Sequence, residues 1–243
     1  MRLSKLDLIV IQAEVLFVHN RVGKMKYVNE QGNPKAPRFF LGRTREGSIT
    51  RYHCNVDDET VSKIEKLIRE PSKHIEIAKI INILNEERTV ENIWMGPAFM
   101  FHSNLHKPTR TIQITEKNRE LLRENFPNLI EQMEWRKPYF AIVKNEKVVS
   151  VCCSARSTPV AAEASVETLA EFQGNGYGTD VVTAWALSIQ EEKRIPLYST
   201  AWDNFASQAV ASKLKLINYG MNLHIDRILS IVSFYLFVFK YID

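Results

Sequence analysis

The chain has 243 residues, enough for one large domain or two small ones and for a sizeable buried core. Hydrophobic residues at 45% and charged residues at 25% exclude collagen-like, low-complexity and wholly disordered chains. The formal charge of +4, from 32 basic and 28 acidic residues, is too small for a dedicated nucleic-acid binder, and residues 138–226 carry 7 basic against 9 acidic side chains.

Cys54, Cys152 and Cys153 form neither a disulfide framework nor a Cys-x-x-Cys pair, and a reducing, cytoplasmic setting is expected. Gln12 and Glu14 interrupt the first apolar run before it could serve as a signal peptide. The apolar run 228–239 has twelve uncharged residues, whereas a membrane span needs about 20.

Residues 6–18 open the chain as an apolar, β-branched stretch, and residues 29–37 form a polar loop rich in turn formers. Phe39, Phe40 and Leu41 begin a strand ending near Gly42. Asp57, Asp58 and Glu59 place carboxylates at the positive end of a helix carrying Val61, Ile64, Leu67 and Ile68. A second helix with Ile75, Ala78, Lys79 and Leu84 follows, and then a strand over 93–101.

From Thr115 the pattern is regular. Thr115 is expected to cap a helix reaching about Gln132, with Leu121, Leu122, Phe126, Leu129 and Ile130 on its apolar face. Strands over 139–143 and 148–155 make a hairpin across Lys144-Asn145-Glu146-Lys147. An extended run over 161–170 leads into Gln173-Gly174-Asn175-Gly176-Tyr177-Gly178, followed by a helix carrying Val181, Val182, Trp185, Ala186 and Ile189. A strand over 197–201, a helix capped by Asp203 or Asn204, and strand-like residues from Ile217 complete an α-β-β-β-α-β-α-β order.

A strand feeding a glycine-rich turn into a helix holds an anion, because uncovered N–H groups and the helix dipole point at one place. Thr179 or Val181 stands where a dinucleotide fingerprint needs its third glycine, and no lysine lies between Lys147 and Lys193 for a P-loop. What fits is Gln-x-x-Gly-x-Gly, as Gln173, Gly176 and Gly178, with Thr179 as a further donor. In this the chain resembles the acyl-CoA-dependent N-acetyltransferases of the GNAT superfamily. The strand Leu197-Tyr198-Ser199-Thr200 before Asn204-Phe205-Ala206-Ser207 agrees with that family's next elements. Ala36-Pro37-Arg38-Phe39-Phe40-Leu41-Gly42-Arg43-Thr44, Val166-Glu167-Thr168-Leu169 and Pro196-Leu197-Tyr198-Ser199-Thr200 resemble a bacterial GNAT subgroup with an N-terminal extension.

The resemblance implies an α/β (α+β) fold: a mixed, mostly antiparallel sheet flanked by helices, its central parallel strands splayed to admit pantetheine. It divides the chain into an α+β extension (1–92), an acetyltransferase domain (93–226) and an apolar tail (227–243) expected to add the last strand. It implies acetyl-CoA as donor and a small-molecule or peptide amine as acceptor, while the residues themselves lead to an expectation of no metal, no nucleic acid and no membrane span. The extension would wall the acceptor pocket or form a homodimer surface. Thr168, Leu169, Ala170, Gln173, Gly174, Asn175, Gly176, Tyr177, Gly178 and Thr179 would bind the donor, and Asn204 and Ser207 its pantetheine arm.

Glu163, Ser165, Glu167 and Leu169 alternate onto one strand face, and two carboxylates on one face are unusual in a core. An alkylammonium of pKa about 10.4 must lose a proton before it attacks, so Glu163 or Glu167, Glu163 named first, is the expected base, acting through water. Ala211 stands where many family members have a tyrosine that protonates the leaving thiolate. That departure keeps open a second reading, a non-catalytic acyl-CoA sensor or interaction module. Tyr177, Tyr198 and Tyr219 are expected to pack, Cys152 and Cys153 to be buried thiols, and His102 with His106 to bind no metal.

Overall fold

The computed structural model describes residues 3–69 and 75–226. The tail over 227–243, read above as a last strand, lies outside the described residues.

Helix α1 (Lys5–Leu16) begins at a capping box: Asp7 N donates to Ser4 Oγ at 3.0 Å and Ser4 N to Asp7 Oδ2 at 2.9 Å. The helix buries Leu8, Ile9, Gln12, Ala13, Val15 and Leu16, so it lies within the molecule rather than on it. Short strands β1 (Phe17–His19) and β2 (Met25–Val28) pair with each other. Strands β3 (Phe39–Arg43) and β4 (Ser48–Tyr52), helices α2 (Asp58–Arg69) and α3 (Ile77–Glu87) and strand β5 (Ile93–Met100) complete the first part.

The helix expected over 115–132 is broken. Strand β6 (Ile112–Ile114) precedes a 3-10 turn at Arg119–Leu122, and only Pro127–Glu131 (α4) is α-helical. The cause is Pro127, whose ring keeps Phe126 out of the helical region (φ −140°, ψ 49°) and which then opens a new helix at its first position. The rest follows the expected order: β7 (Tyr139–Lys144), β8 (Lys147–Ser157), β9 (Ala161–Thr168), α5 (Tyr177–Glu191), β10 (Ile195–Ser199), α6 (Phe205–Lys213) and β11 (Ile217–Ile225). Asn145 and Glu146 turn the β7–β8 hairpin with φ of 48° and 62°, the left-handed pair a two-residue loop requires.

Nine strands form one sheet in the order β4-β3-β11-β5-β10-β9-β8-β7-β6. The β9–β10 contact is parallel and the other seven are antiparallel. Residues before 93 share this sheet, since β3 pairs with β11 and β4 with β3. Helix α5 covers one face through Val181, Val182, Trp185, Ala186 and Ile189, and α2 and α3 cover β3, β11 and β5 through Ile64, Ile80 and Leu84. Opposite them, α1 meets Ala98, Ala161, Leu197 and Tyr219, while Leu122, Phe126 and Leu129 cover Tyr139, Val151 and Cys153. Among the described residues no helix is long and apolar enough to cross a membrane.

Gly42 lets α1 lie this close to the sheet, because a Cβ built there would come within 2.2 Å of Ile9 Cγ2. Gly42→Val, favourable to a strand by propensity alone, should therefore destabilise the fold. Overpacking of this kind costs about 1–3 kcal/mol, a fall of several degrees in the melting midpoint for a chain of this size. Circular-dichroism melting measures it, and an unchanged midpoint would show that α1 is not seated against β3.

Candidate active site

The parallel contact between β9 and β10 is short. Ala161 pairs with Ile195, Ala162 with Pro196 and Glu163 with Leu197, and there the ladder ends. Strand β9 continues to Thr168 against β8, and β10 continues to Ser199 against β5, so the two strands part and leave a fork. The fork opens into a cleft of about 1900 Å³, lined by residues of β9, the turn after it, the β10–α6 loop and the loop near Asn29. A single small-ligand pocket takes roughly 300–1,000 Å³, so two ligands can meet here.

The glycine-rich turn forms one end. After a 3-10 turn at Ala170–Phe172, Gly174 (φ 81°) and Gly176 (φ 78°) adopt left-handed backbone that disfavours any side chain, and Gly176 is the N-cap of α5. No side chain caps that helix end. The N–H groups of Tyr177, Gly178 and Thr179 therefore have no intrahelical acceptor and, with the helix dipole, make an anion cradle. Thr179 Oγ1 donates to the Gly176 carbonyl at 2.6 Å.

Arg110, which no motif in the sequence marked, completes this end. It pairs with Asp180 at 2.7 Å, holding the one acidic side chain of the helix's first turn, and lies 5.0 Å from the centroid of the Tyr177 ring, with Lys144 at 5.7 Å. Of the expected donor residues, Thr168, Gln173, Gly174, Gly176, Tyr177, Gly178, Thr179, Asn204 and Ser207 line the cleft. Leu169 instead packs into the core, and Ala170 and Asn175 are exposed outside the lining. Asn204 caps α6 by accepting from Ser207 N at 3.0 Å.

The two carboxylates of β9 both line the cleft, in different states. Glu163 is buried and accepts hydrogen bonds from Ser199 Oγ and from Gln12 Nε2, the latter at 3.1 Å. Gln12 Oε1 in turn accepts from the Tyr219 hydroxyl, so β10, β9, α1 and β11 meet in one buried chain. Glu167 is half-buried. Burial raises its pKa above the ordinary glutamate value, and the charge of Arg136 offsets part of that rise.

Ala211 is buried in the α5 core and offers no proton. The Tyr198 hydroxyl donates to the Ser207 carbonyl at 3.3 Å, and burial pushes its pKa up, as it does for Tyr219. His102 meets the Lys215 carbonyl through Nε2 at 2.7 Å, and among the described residues no group of three or more His, Cys, Asp or Glu side chains could hold a metal.

With the fork, the cradle and the paired carboxylates in place, the comparisons with known proteins identify the class. The GNAT acetyltransferase family matches residues 43–219, well over half the chain. The chain belongs to that family, whose members transfer acyl groups. No curated protein matches the chain.

Among solved structures it is similar to a GNAT-family acetyltransferase of Novosphingobium aromaticivorans (11% identity, TM-score 0.47, covering 56% of this chain and 65% of that one, just under two thirds). It is also similar to a GCN5-related N-acetyltransferase-like protein of Streptococcus suis (13% identity, TM-score 0.45, covering 78% and 84%). A GNAT-family acetyltransferase of Colwellia psychrerythraea gives 11% identity and a TM-score of 0.46, covering 77% and 81%. At these identities the likeness is one of fold alone.

Burial raises the thiol pKa values of Cys152 and Cys153, which makes them inert, whereas Cys54 is partly exposed. Ellman's reagent should therefore titrate one thiol rapidly in the folded protein and all three in denaturant. Rapid reaction of two or three in the native state would contradict the packing of β8.

Proposed function

We propose that the protein is an acetyl-CoA-dependent N-acetyltransferase in which an amine attacks the thioester directly, within a ternary complex. The observation that carries this reading is the early end of the β9–β10 ladder, opening straight onto an uncapped glycine cradle. The pyrophosphate would lie on the N–H groups of residues 176–179, beside Gln173 and Gly174. Pantetheine would run along the edge of β9 that β10 no longer pairs, over residues 164–168, with Asn204 and Ser207 on the far side.

Of the two carboxylates, Glu167 is the better base. Both oxygens of Glu163 already accept hydrogen bonds, from Gln12 and Ser199, so its carboxylate is engaged in holding the fold. Glu167 carries a raised pKa and lines the cleft. In the reaction Glu167, through water, takes a proton from the acceptor's ammonium group. The freed nitrogen lone pair forms the N–C bond to the thioester carbonyl, and the C–S bond breaks. The second nitrogen proton is the one the departing thiolate gains. Alignment of amine and thioester in one cleft supplies much of the acceleration through effective molarity.

The buried Ala211 favours the second reading, a non-catalytic acyl-CoA sensor. Release of free CoA from acetyl-CoA in the presence of amines, aminoglycosides, amino acids or peptides supports the enzyme, and tight acetyl-CoA binding with no release supports the sensor.

Gly176→Val would place a β-branched side chain in left-handed backbone at the cradle. Acetyl-CoA binding by calorimetry should be lost while the far-ultraviolet spectrum is kept. Unchanged affinity in the folded variant would remove the donor site from this turn.

Because Glu167 must be deprotonated to act and its pKa is raised, kcat/KM should climb with pH through an acidic limb lying above the ordinary glutamate value. Glu167→Gln should abolish that limb and lower kcat by roughly 100-fold with acetyl-CoA affinity kept. Glu163→Gln should lower the melting midpoint more than it lowers kcat. A wild-type pH profile in Glu167→Gln would assign the base elsewhere.

A further inference from the structure

The acceptor side of the cleft is walled by charged side chains from distant parts of the chain: Glu30 from the loop after β2, Arg136 ahead of β7, Arg156 in β8, and Glu163 and Glu167 in β9. Two of these answer each other's charge. Arg156, 8% exposed, gives Nη2 to the Glu30 carboxylate, which answers both of those charges. Glu163 is held by Gln12 and Ser199.

Arg136 is different. It is also 8% exposed, and its guanidinium donates through Nε to the Ser154 carbonyl at 3.1 Å and through Nη1 to Gln132 Oε1 at 3.0 Å. Both partners are neutral, and no carboxylate among the described residues pairs with it. Glu30 and Glu167 act on it only from a distance, and a buried guanidinium with no carboxylate in contact is costly, since buried charges in proteins are ordinarily paired. A second unmet donor lies on the same wall, since Arg156 Nε is buried without a partner.

We infer that the acceptor carries its own carboxylate, seated on the guanidinium of Arg136 on the wall that holds Glu167, so that the substrate class is that of amino acids. Among the described residues no carboxylate lies within ion-pair distance of the Arg136 guanidinium, whose hydrogen-bond partners are the Ser154 carbonyl and Gln132 Oε1, so a carboxylate brought by the acceptor can take that place. A planar guanidinium edge also suits the two oxygens of a carboxylate. The charge of Arg136 is felt at Glu167, so the anchor lies within electrostatic reach of the base. With its carboxylate anchored there, the acceptor's amine would turn to Glu167 and the thioester. Trp135, next in sequence to Arg136 and 58% exposed, lines the same cleft and can cover the acceptor's apolar part.

This inference rests on the acetyl-transfer reading, and a matched series separates the two. Each L-amino acid is compared with its carboxamide and with the amine lacking the carboxyl group, following CoA release. Acetyl-CoA binding is measured in parallel by calorimetry. At least one amino acid should exceed its carboxamide in kcat/KM by about 30-fold or more, the scale of losing one partner of a buried charge pair. Arg136→Gln should erase that preference by raising KM for the acid and not for the amide, with acetyl-CoA affinity unchanged.

Amides or plain amines equal to the acids would overturn the inference, as would a preference that survives Arg136→Gln. So would a protein that binds acetyl-CoA yet acetylates no carboxylate-bearing amine. Should Arg136→Gln fail to fold, Arg136→Lys and the wild-type acid-to-amide ratio decide: a ratio near one overturns the inference, and a high ratio weakened by lysine supports it. A wild-type protein that does not bind acetyl-CoA would instead remove the acetyl-transfer reading, and this inference with it.

Discussion

The site depends on one buried carboxylate. Glu163 stands at the last register position where β9 and β10 still touch, opposite Leu197, and it fastens the strands where they part. Ser199 reaches it from β10 and Gln12 from α1, while Gln12 also holds Tyr219 of β11. Burying an ion costs several kcal/mol unless its lone pairs are met. Hydrogen bonds to a charged group contribute roughly 1.5–3 kcal/mol each, and Gln12 and Ser199 supply one apiece. The same bonds fix where the fork begins. If Ser199 were free to move, the ladder could close one pair further and narrow the slot beyond it.

From that fastening follows a division of labour between two glutamates four residues apart. On one strand face, Glu163 is engaged by Ser199 from β10 and Gln12 from α1, while Glu167 meets partial burial and the field of Arg136. Identical side chains thus meet different surroundings from position alone. At the other end of the cleft Arg110 plays a comparable part for the anion cradle. Asp180 in the first turn of α5 would repel any anion there, and the ion pair with Arg110 neutralises it.

Much of this was legible in the sequence, and the exceptions have physical causes. The α-β-β-β-α-β-α-β order, the Asn145-Glu146 hairpin and the Gln173 to Thr179 turn are local patterns, and short-range chemistry decides them. Residues 6–18 read as apolar and β-branched, yet Ser4 and Asp7 cap them into a helix and the sheet buries it on nearly every side. Pro127 was a visible signal that the apolar spacing from Leu121 to Ile130 obscured. The charged wall of the cleft had no signature, because Glu30, Arg136 and Arg156 come from separate parts of the chain and only the sheet brings them together. Gln12 and Ser199 were equally silent, since a neutral side chain inside an apolar run marks nothing until its partner is known.

Strand β5 lies between β10 and β11, and it precedes both in the chain by a wide margin. During synthesis, β5 leaves the ribosome with both of its edges bare, and its first neighbour begins only at Ile195, about a hundred residues later. Over that interval its backbone donors and acceptors are open to any passing strand, a hazard that native folds otherwise blunt with charge or cover. Gly96 and Pro97 stand in its middle, and both weaken a strand as a template: one adds no side chain to pack and the other has no N–H to give. The two residues that look least suited to a central strand thus lower its capacity to pair wrongly before its proper neighbours exist.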